Sequence, residues 1–258
     1  MTSLVDSHCH IPMIEDSDGI ETILAAAREN DVTHMLCVSV ELDSYPEILS
    51  LARNHSCISA SVGVHPNTEM QNEIEIDELA GLASDSNVVA IGETGLDYFR
   101  SEGDLEWQRE RFRSHIRAAR QVNKPLIIHC REAKEDVIKI LKEENAADVG
   151  GVMHCFVEDW ETAQTAMALN FRISFSGIVT FKNAQPLKEV AKKVPLEMLL
   201  VETDSPYLAP VPFRGKSNQP AFVKHVAEHI AELRQLPYEQ IADSTTGNFY
   251  KLFPLAAS

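Results

Sequence analysis

The stretch Pro125-Leu126-Ile127-Ile128-His129-Cys130-Arg131 decides how the chain is read. Leu126, Ile127 and Ile128 leave no polar face, which suits a strand covered on both sides, as in a parallel sheet. Pro125 follows a helical stretch and opens the strand, a place that demands no ladder donor. The run ends on His129. The same rhythm recurs along the chain. Short apolar runs lie at 4–8, 34–38, 58–64, 88–92, 126–129, 151–154, 171–175 and 198–202. Stretches with helical spacing lie at 20–30, 104–123, 133–144, 160–169 and 222–233, with apolar residues on one side, as at Ile20, Ile23, Leu24 and Ala27. Eight strands alternating with helices predict a (β/α)8 TIM barrel, read here as one domain over residues 1–258. The rival is an open doubly wound sheet, but its GxGxxG phosphate fingerprint does not follow the first strand.

The 258 residues match the length of about 250 at which such barrels often form a single unit. Lysine and arginine number 23 against 39 aspartates and glutamates, a formal charge of −16. That balance argues against a protein that coats nucleic acid by bulk electrostatics, though not against an enzyme that holds phosphates through bound cations. No apolar stretch approaches the ~18 residues of a membrane span, and the N-terminus has no signal-peptide pattern. The five cysteines, Cys9, Cys37, Cys57, Cys130 and Cys155, are odd in number, widely spaced and without CxxC. They read as reduced thiols of a cytoplasmic protein.

In a barrel the reacting groups sit past the carboxyl ends of the strands. His8, His10, His65, His129 and His154, five of ten histidines, fall there, with Glu93 and Asp204 at two further strand ends. His8 and His10 are one residue apart, so an extended chain points both imidazoles to one side. An HxH pair alone is as often two ordinary polar residues; its coincidence with the other strand ends makes it a metal motif. Imidazoles mixed with carboxylates suit Zn²⁺, Mn²⁺ or a similar ion. Six candidate ligands, His8, His10, Glu93, His129, His154 and Asp204, exceed the need of one tetrahedral ion. Two ions sharing Glu93 would use them all. Cys9, Cys130 and Cys155 neighbour these histidines, but strand alternation turns them away into packing.

Asp6-Ser7-His8-Cys9-His10, Val62-Gly63-Val64-His65-Pro66, Gly92-Glu93-Thr94-Gly95-Leu96-Asp97-Tyr98, Ile128-His129-Cys130-Arg131, His154-Cys155-Phe156 and Glu202-Thr203-Asp204-Ser205-Pro206-Tyr207-Leu208-Ala209-Pro210 together resemble the TatD family of metal-dependent deoxyribonucleases, nearest its YcfH-like bacterial branch. The resemblance runs in family order from Asp6 to Phe249. It implies an amidohydrolase-type barrel, two divalent ions (Zn, Mn or Mg) on the six ligands above, and hydrolysis of DNA phosphodiesters at DNA ends or nucleotides, often as a 3′ exonuclease. Some relatives act instead on aminoacyl-tRNA esters. A deacylase, or another ester or amide hydrolase on the same metal site, is therefore the alternative. No obligate protein partner and no membrane contact are expected.

In the expected mechanism an activated water attacks phosphorus in line, Asp204 orients or deprotonates it, and Glu93 bridges the ions. His65 and Arg214 are candidate phosphate contacts, because charge-assisted donors are the strong ones there. Lys216 belongs to the basic loop 214–218 after the last strand, a common phosphate position. Arg131 either contacts phosphate or pairs with Glu132. Asp97 and Tyr98 are orienting groups, substrate contacts or a structural hydrogen-bonded pair. Asp204 taken alone also suits a turn. Two departures from the resemblance stand out: Asn67 and Phe213 replace histidines that many relatives carry. The arginines at 109, 113, 117 and 120 read as a solvated outer helix face.

Overall fold

The computed structural model describes residues 3–15, 19–70 and 72–257. Eight parallel strands pair in sequential order: β1 (Leu4–Cys9), β2 (Val32–Cys37), β3 (Ile58–Val62), β4 (Val88–Asp97), β5 (Leu126–Arg131), β6 (Gly151–Met153), β7 (Phe171–Phe175) and β8 (Leu199–Val201). The main helices are α1 (Ile20–Glu29), α2 (Tyr45–Asn54), α3 (Ile76–Leu82), α4 (Glu106–Val122), α5 (Lys134–Glu143), α6 (Trp160–Ala168), α7 (Gln185–Lys193), α8 (Val223–Arg234) and α9 (Tyr238–Leu252). This is the TIM barrel expected from the alternation of apolar runs and amphipathic stretches.

Why the strands are apolar throughout is visible in their two clusters. Leu4, Met35, Ile58, Leu126, Ile128 and Ile173 join the helix residues in one buried layer. Val5, Leu36, Val89, Ile127, Val152 and Leu200 alternate with them and form a separate cluster, capped by Phe249, Leu252 and Phe253 of and after α9. β1, β2, β4, β5, β6 and β8 thus bury apolar residues on both faces. The barrel closes between β8 and β1 through Asp204 N–H to His8 O (2.9 Å) and His10 N–H to Ser205 O (2.8 Å). That seam brings the two ends of the chain's motif set together.

β4 runs five residues beyond the expected end at Gly92, to Asp97. Thr94, Gly95, Leu96 and Asp97 pair with Ile128, His129, Cys130 and Arg131. Close approach makes this possible: a Cβ on Gly95 (φ +139°) would stand 2.0 Å from the His129 carbonyl oxygen. Glu93 and His129 are therefore held on adjacent, hydrogen-bonded strands rather than on loops.

Candidate metal centre

His8 and His10 leave β1 on the same side, as their spacing requires, and their Nε2 atoms lie 3.2 Å apart. The register of β1 on β2 shifts between Asp6 and Cys9, a bulge of the kind that re-aims side chains beside active sites. Asp204, just beyond β8, adopts φ +58° in a turn closed by Tyr207 N–H to Asp204 O (2.9 Å). So the turn reading holds, and the same turn aims Oδ1 to 3.4 Å from His10 Nε2 and 3.7 Å from His8 Nε2.

Glu93 lies at the middle. Its Oε2 faces His8 Nε2 (3.4 Å) and His10 Nε2 (3.9 Å). Its Oε1 faces His154 Nε2 (2.8 Å), His129 Nδ1 (2.9 Å) and His65 Nε2 (3.5 Å). Burial pushes the Glu93 carboxyl upward, but the imidazoles of His154, His65 and His129 outweigh it and hold the group well below the usual carboxylate range. For His154 the balance is reversed in sign: burial lowers it, and Glu93 and Glu202 raise it well above the ordinary histidine value.

Hydrogen bonds behind the rings fix what each presents. His10 Nδ1 lies 3.0 Å from the Val38 carbonyl, His129 Nε2 lies 3.2 Å from Asp97 Oδ2, and His154 Nδ1 lies 3.2 Å from Glu202 Oε1. A carbonyl or carboxylate needs a proton from each of these nitrogens. In a neutral ring that leaves the other nitrogen as a bare lone pair aimed into the cluster. Bare lone pairs at 2.8–3.4 Å from carboxylate oxygens repel unless positive charge lies between them. Protons or divalent cations meet that demand, and the N/O donor set fits the latter. His8 Nδ1, buried without a hydrogen-bond partner, is in keeping with a ring held from its Nε2 side.

His65 differs. Its Nδ1 accepts the Asn67 N–H (3.1 Å), so in the neutral ring the proton sits on Nε2. Burial lowers this imidazole to about 4, which keeps it neutral. His65 therefore presents a donor to the cluster, not a lone pair.

The cysteines stay out of the cation-holding groups among the described residues. Cys9 donates to Leu36 O, Cys130 Sγ lies 3.9 Å from Glu158, and Cys155 Sγ lies 3.2 Å from Ser176 Oγ. The three cations singled out in the sequence do not touch the cluster. Arg131 packs over Phe99 (4.0 Å from Cζ to the ring centroid), Arg214 over Phe181 (4.3 Å) and Lys216 beside Phe213 (5.8 Å). Arg131 does not pair with Glu132. By contrast the α4 arginines are tied to carboxylates: Arg113 to Glu143 (2.7 Å), Arg117 to Glu144 (2.7 Å) and Arg120 to Asp148 (2.9 Å).

Both departures have a structural occupation. Asn67 donates to Asp97 Oδ2 (2.8 Å), and so supports the carboxylate behind His129. Phe213 stacks on Phe222 at 4.1 Å with the rings 5° from parallel. In the sequence Glu202 stands out only as part of a motif; its position two residues before Asp204 is the available signal for its role behind His154.

The family profile described as TatD related DNase matches residues 5–254. The chain is 46% identical over 258 residues to YcfH of Escherichia coli K12, an uncharacterized metal-dependent hydrolase, covering 99% of this chain and 97% of that protein. It is 42% identical over 251 residues to YabD of Bacillus subtilis 168, also an uncharacterized metal-dependent hydrolase, covering 97% and 98%. The crystal structure of YJJV, a TatD homolog from Escherichia coli K12, superposes with a TM-score of 0.91 at 29% identity over 97% of this chain and 98% of that one. A barrel mouth lined with imidazoles and carboxylates and a match that runs nearly end to end agree: the chain belongs to the TatD family and is a metal-dependent hydrolase.

Proposed function

We propose that the protein is a two-metal deoxyribonuclease that removes nucleotides from DNA ends, 3′ to 5′ as the family resemblance implies. In this reading His8, His10, Glu93, His129, His154 and Asp204 hold Zn, Mn or Mg ions. The observation that carries it is the division of Glu93: one carboxylate oxygen belongs with His8 and His10, the other with His129 and His154. Bound divalent ions supply Lewis acidity toward phosphoryl oxygens and acidify a water. Asp204 is the more accessible carboxylate, its side chain 14% exposed against 4% for Glu93, and it takes the proton of the attacking water. His65 donates its Nε2–H to a phosphoryl oxygen, as a neutral imidazole can. Arg131, Arg214 and Lys216 have no carboxylate partner among the described residues, which leaves their charge for phosphates.

Five free cysteines support a reducing, cytoplasmic setting. No helix among the described residues is long and apolar enough to cross a membrane.

The test is cleavage of end-labelled single-stranded DNA with Mg²⁺ or Mn²⁺ by the protein and by Glu93→Ala. A fall of more than about 100-fold is expected, on the scale of removing one preorganised charge at a reacting centre. Equal activity rejects the bridging carboxylate. Turnover of charged tRNA with none of DNA would transfer the same residues to ester hydrolysis.

A further inference from the structure

Six large apolar side chains are exposed among the described residues, and five of them, Phe99, Trp107, Val157, Tyr207 and Val211, follow the carboxyl ends of strands. Scattered exposed apolar groups need no explanation, but a concentration on the face that carries the reacting groups does. Two of the five are aromatic residues whose contacts lead to the Glu93 cluster, one through its ring and one through its backbone. Tyr207, 55% exposed, lies edge-on to His10 with ring centroids 6.4 Å apart. Phe99, 56% exposed, donates its N–H to Asp97 Oδ1 (3.0 Å), while Asp97 Oδ2 faces His129 (3.2 Å). One face of the Phe99 ring carries the Arg131 guanidinium. The strands run in order around the cylinder, so a group following β4 and a group following β8 stand across the mouth from each other. The cluster lies between them.

We propose that Tyr207 and Phe99 are two base-stacking platforms, one on each side of the reacting phosphate, so that the ligand is a nucleotide chain with an unstacked base on either side of the bond to be cut. The inference deepens the nuclease reading and rests on it. Aromatic rings hold bases without regard to sequence, because every base has a π-face. Arg131, fixed on Phe99 instead of on a carboxylate, sets its charge beside the neighbouring phosphate. In a chain of net charge −16, a cation with no carboxylate partner among the described residues is a local attraction for a polyanion.

The experiment uses the manganese-loaded protein and single-stranded hexathymidylate. Two analogues carry a tetrahydrofuran abasic unit in place of the last or the next-to-last nucleotide at the attacked end. Only the first cut is followed. Tyr207→Ala and Phe99→Ala should each raise KM on the intact oligomer about 5- to 100-fold, the range for losing one base–aromatic stack, with kcat within about threefold. Each ring's removal should be silent on one analogue, and a different one for each ring, because a ring without its base has nothing to lose. Tyr207→Phe and Phe99→Trp should restore KM. Both rings are exposed, so the variants should keep the parent's thermal midpoint. If ring and base effects simply multiply in every pairing, or KM stays fixed while the parent cuts the oligomer, the platforms are refuted and the nuclease reading survives. If the parent hydrolyses bis(p-nitrophenyl) phosphate but never the oligomer, the nuclease reading fails and takes the platforms with it.

Discussion

On the two-ion reading proposed above, replacing Glu202 with glutamine should weaken one divalent-ion binding step by about 10- to 100-fold and leave the other within about threefold. Glu202 is fully buried, and its Oε1 accepts two hydrogen bonds, from His154 Nδ1–H at 3.2 Å and Cys155 N–H at 2.7 Å. Its Oε2 has no partner. In Glu202→Gln the amide oxygen can keep both bonds, so the shape is preserved. The NH2 group then occupies the Oε2 position, where nothing accepts, and buried donors without acceptors cost about 1–3 kcal/mol. The lost charge also removes part of what makes His154 a stronger base, the rest coming from Glu93. A 10- to 100-fold loss corresponds to about 1.4–2.7 kcal/mol. The effect should be confined to one step because His10 is oriented separately, by the Val38 carbonyl at 3.0 Å. Titration of the metal-free protein with Zn²⁺ or Mn²⁺ against a competing chelator resolves the two steps. Equal displacement of both, or of neither, would refute the argument that each half of the centre is held by its own backing group.

Gly95→Ala should destabilise the protein by more than about 4 kcal/mol in urea unfolding, since its Cβ would meet the His129 carbonyl at 2.0 Å in a backbone region side chains avoid; a midpoint like the parent's would mean β4 and β5 are not in this register. Burial holds both His34 and His115 at about 4 instead of 6.5. The unfolded chain therefore takes up protons first as pH falls, and stability present above 6.5 should be lost towards 4, by about 3 kcal/mol for each group. Comparing urea midpoints at pH 7 and pH 4.5 for the parent and His34→Gln checks this: the variant should lose less, and equal losses would contradict it. The net charge of −16 should slow capture of long polyanions and favour ends, so circular single strands should be cut more slowly than linear ones. Faster cleavage of circles would count against the preference for ends.

The barrel was legible because its signals are local. Leu126, Ile127 and Ile128 announce a strand buried on two faces, and His129 at its end announces what that strand carries. The His8–His10 pairing needs only the two-residue repeat of an extended chain. The length of β4 was not legible: pairing to Asp97 depends on Gly95 lying against His129 of another strand, and nothing in the apolar pattern past Gly92 shows that contact. The sequence by itself determined which side chains gather at the mouth, since each hangs from the end of a strand whose pattern is self-evident. Only the tertiary structure decided what each one is there. Asn67 makes His65 a donor, Glu202 and Asp97 fix which nitrogen of His154 and His129 faces the cluster, and Phe99 rather than Glu132 takes Arg131. Those assignments are made by hydrogen bonds and ring contacts between neighbouring strands and their loops, and partners chosen across a barrel are set by register and closure, which leave no trace in the spacing of residues along the chain.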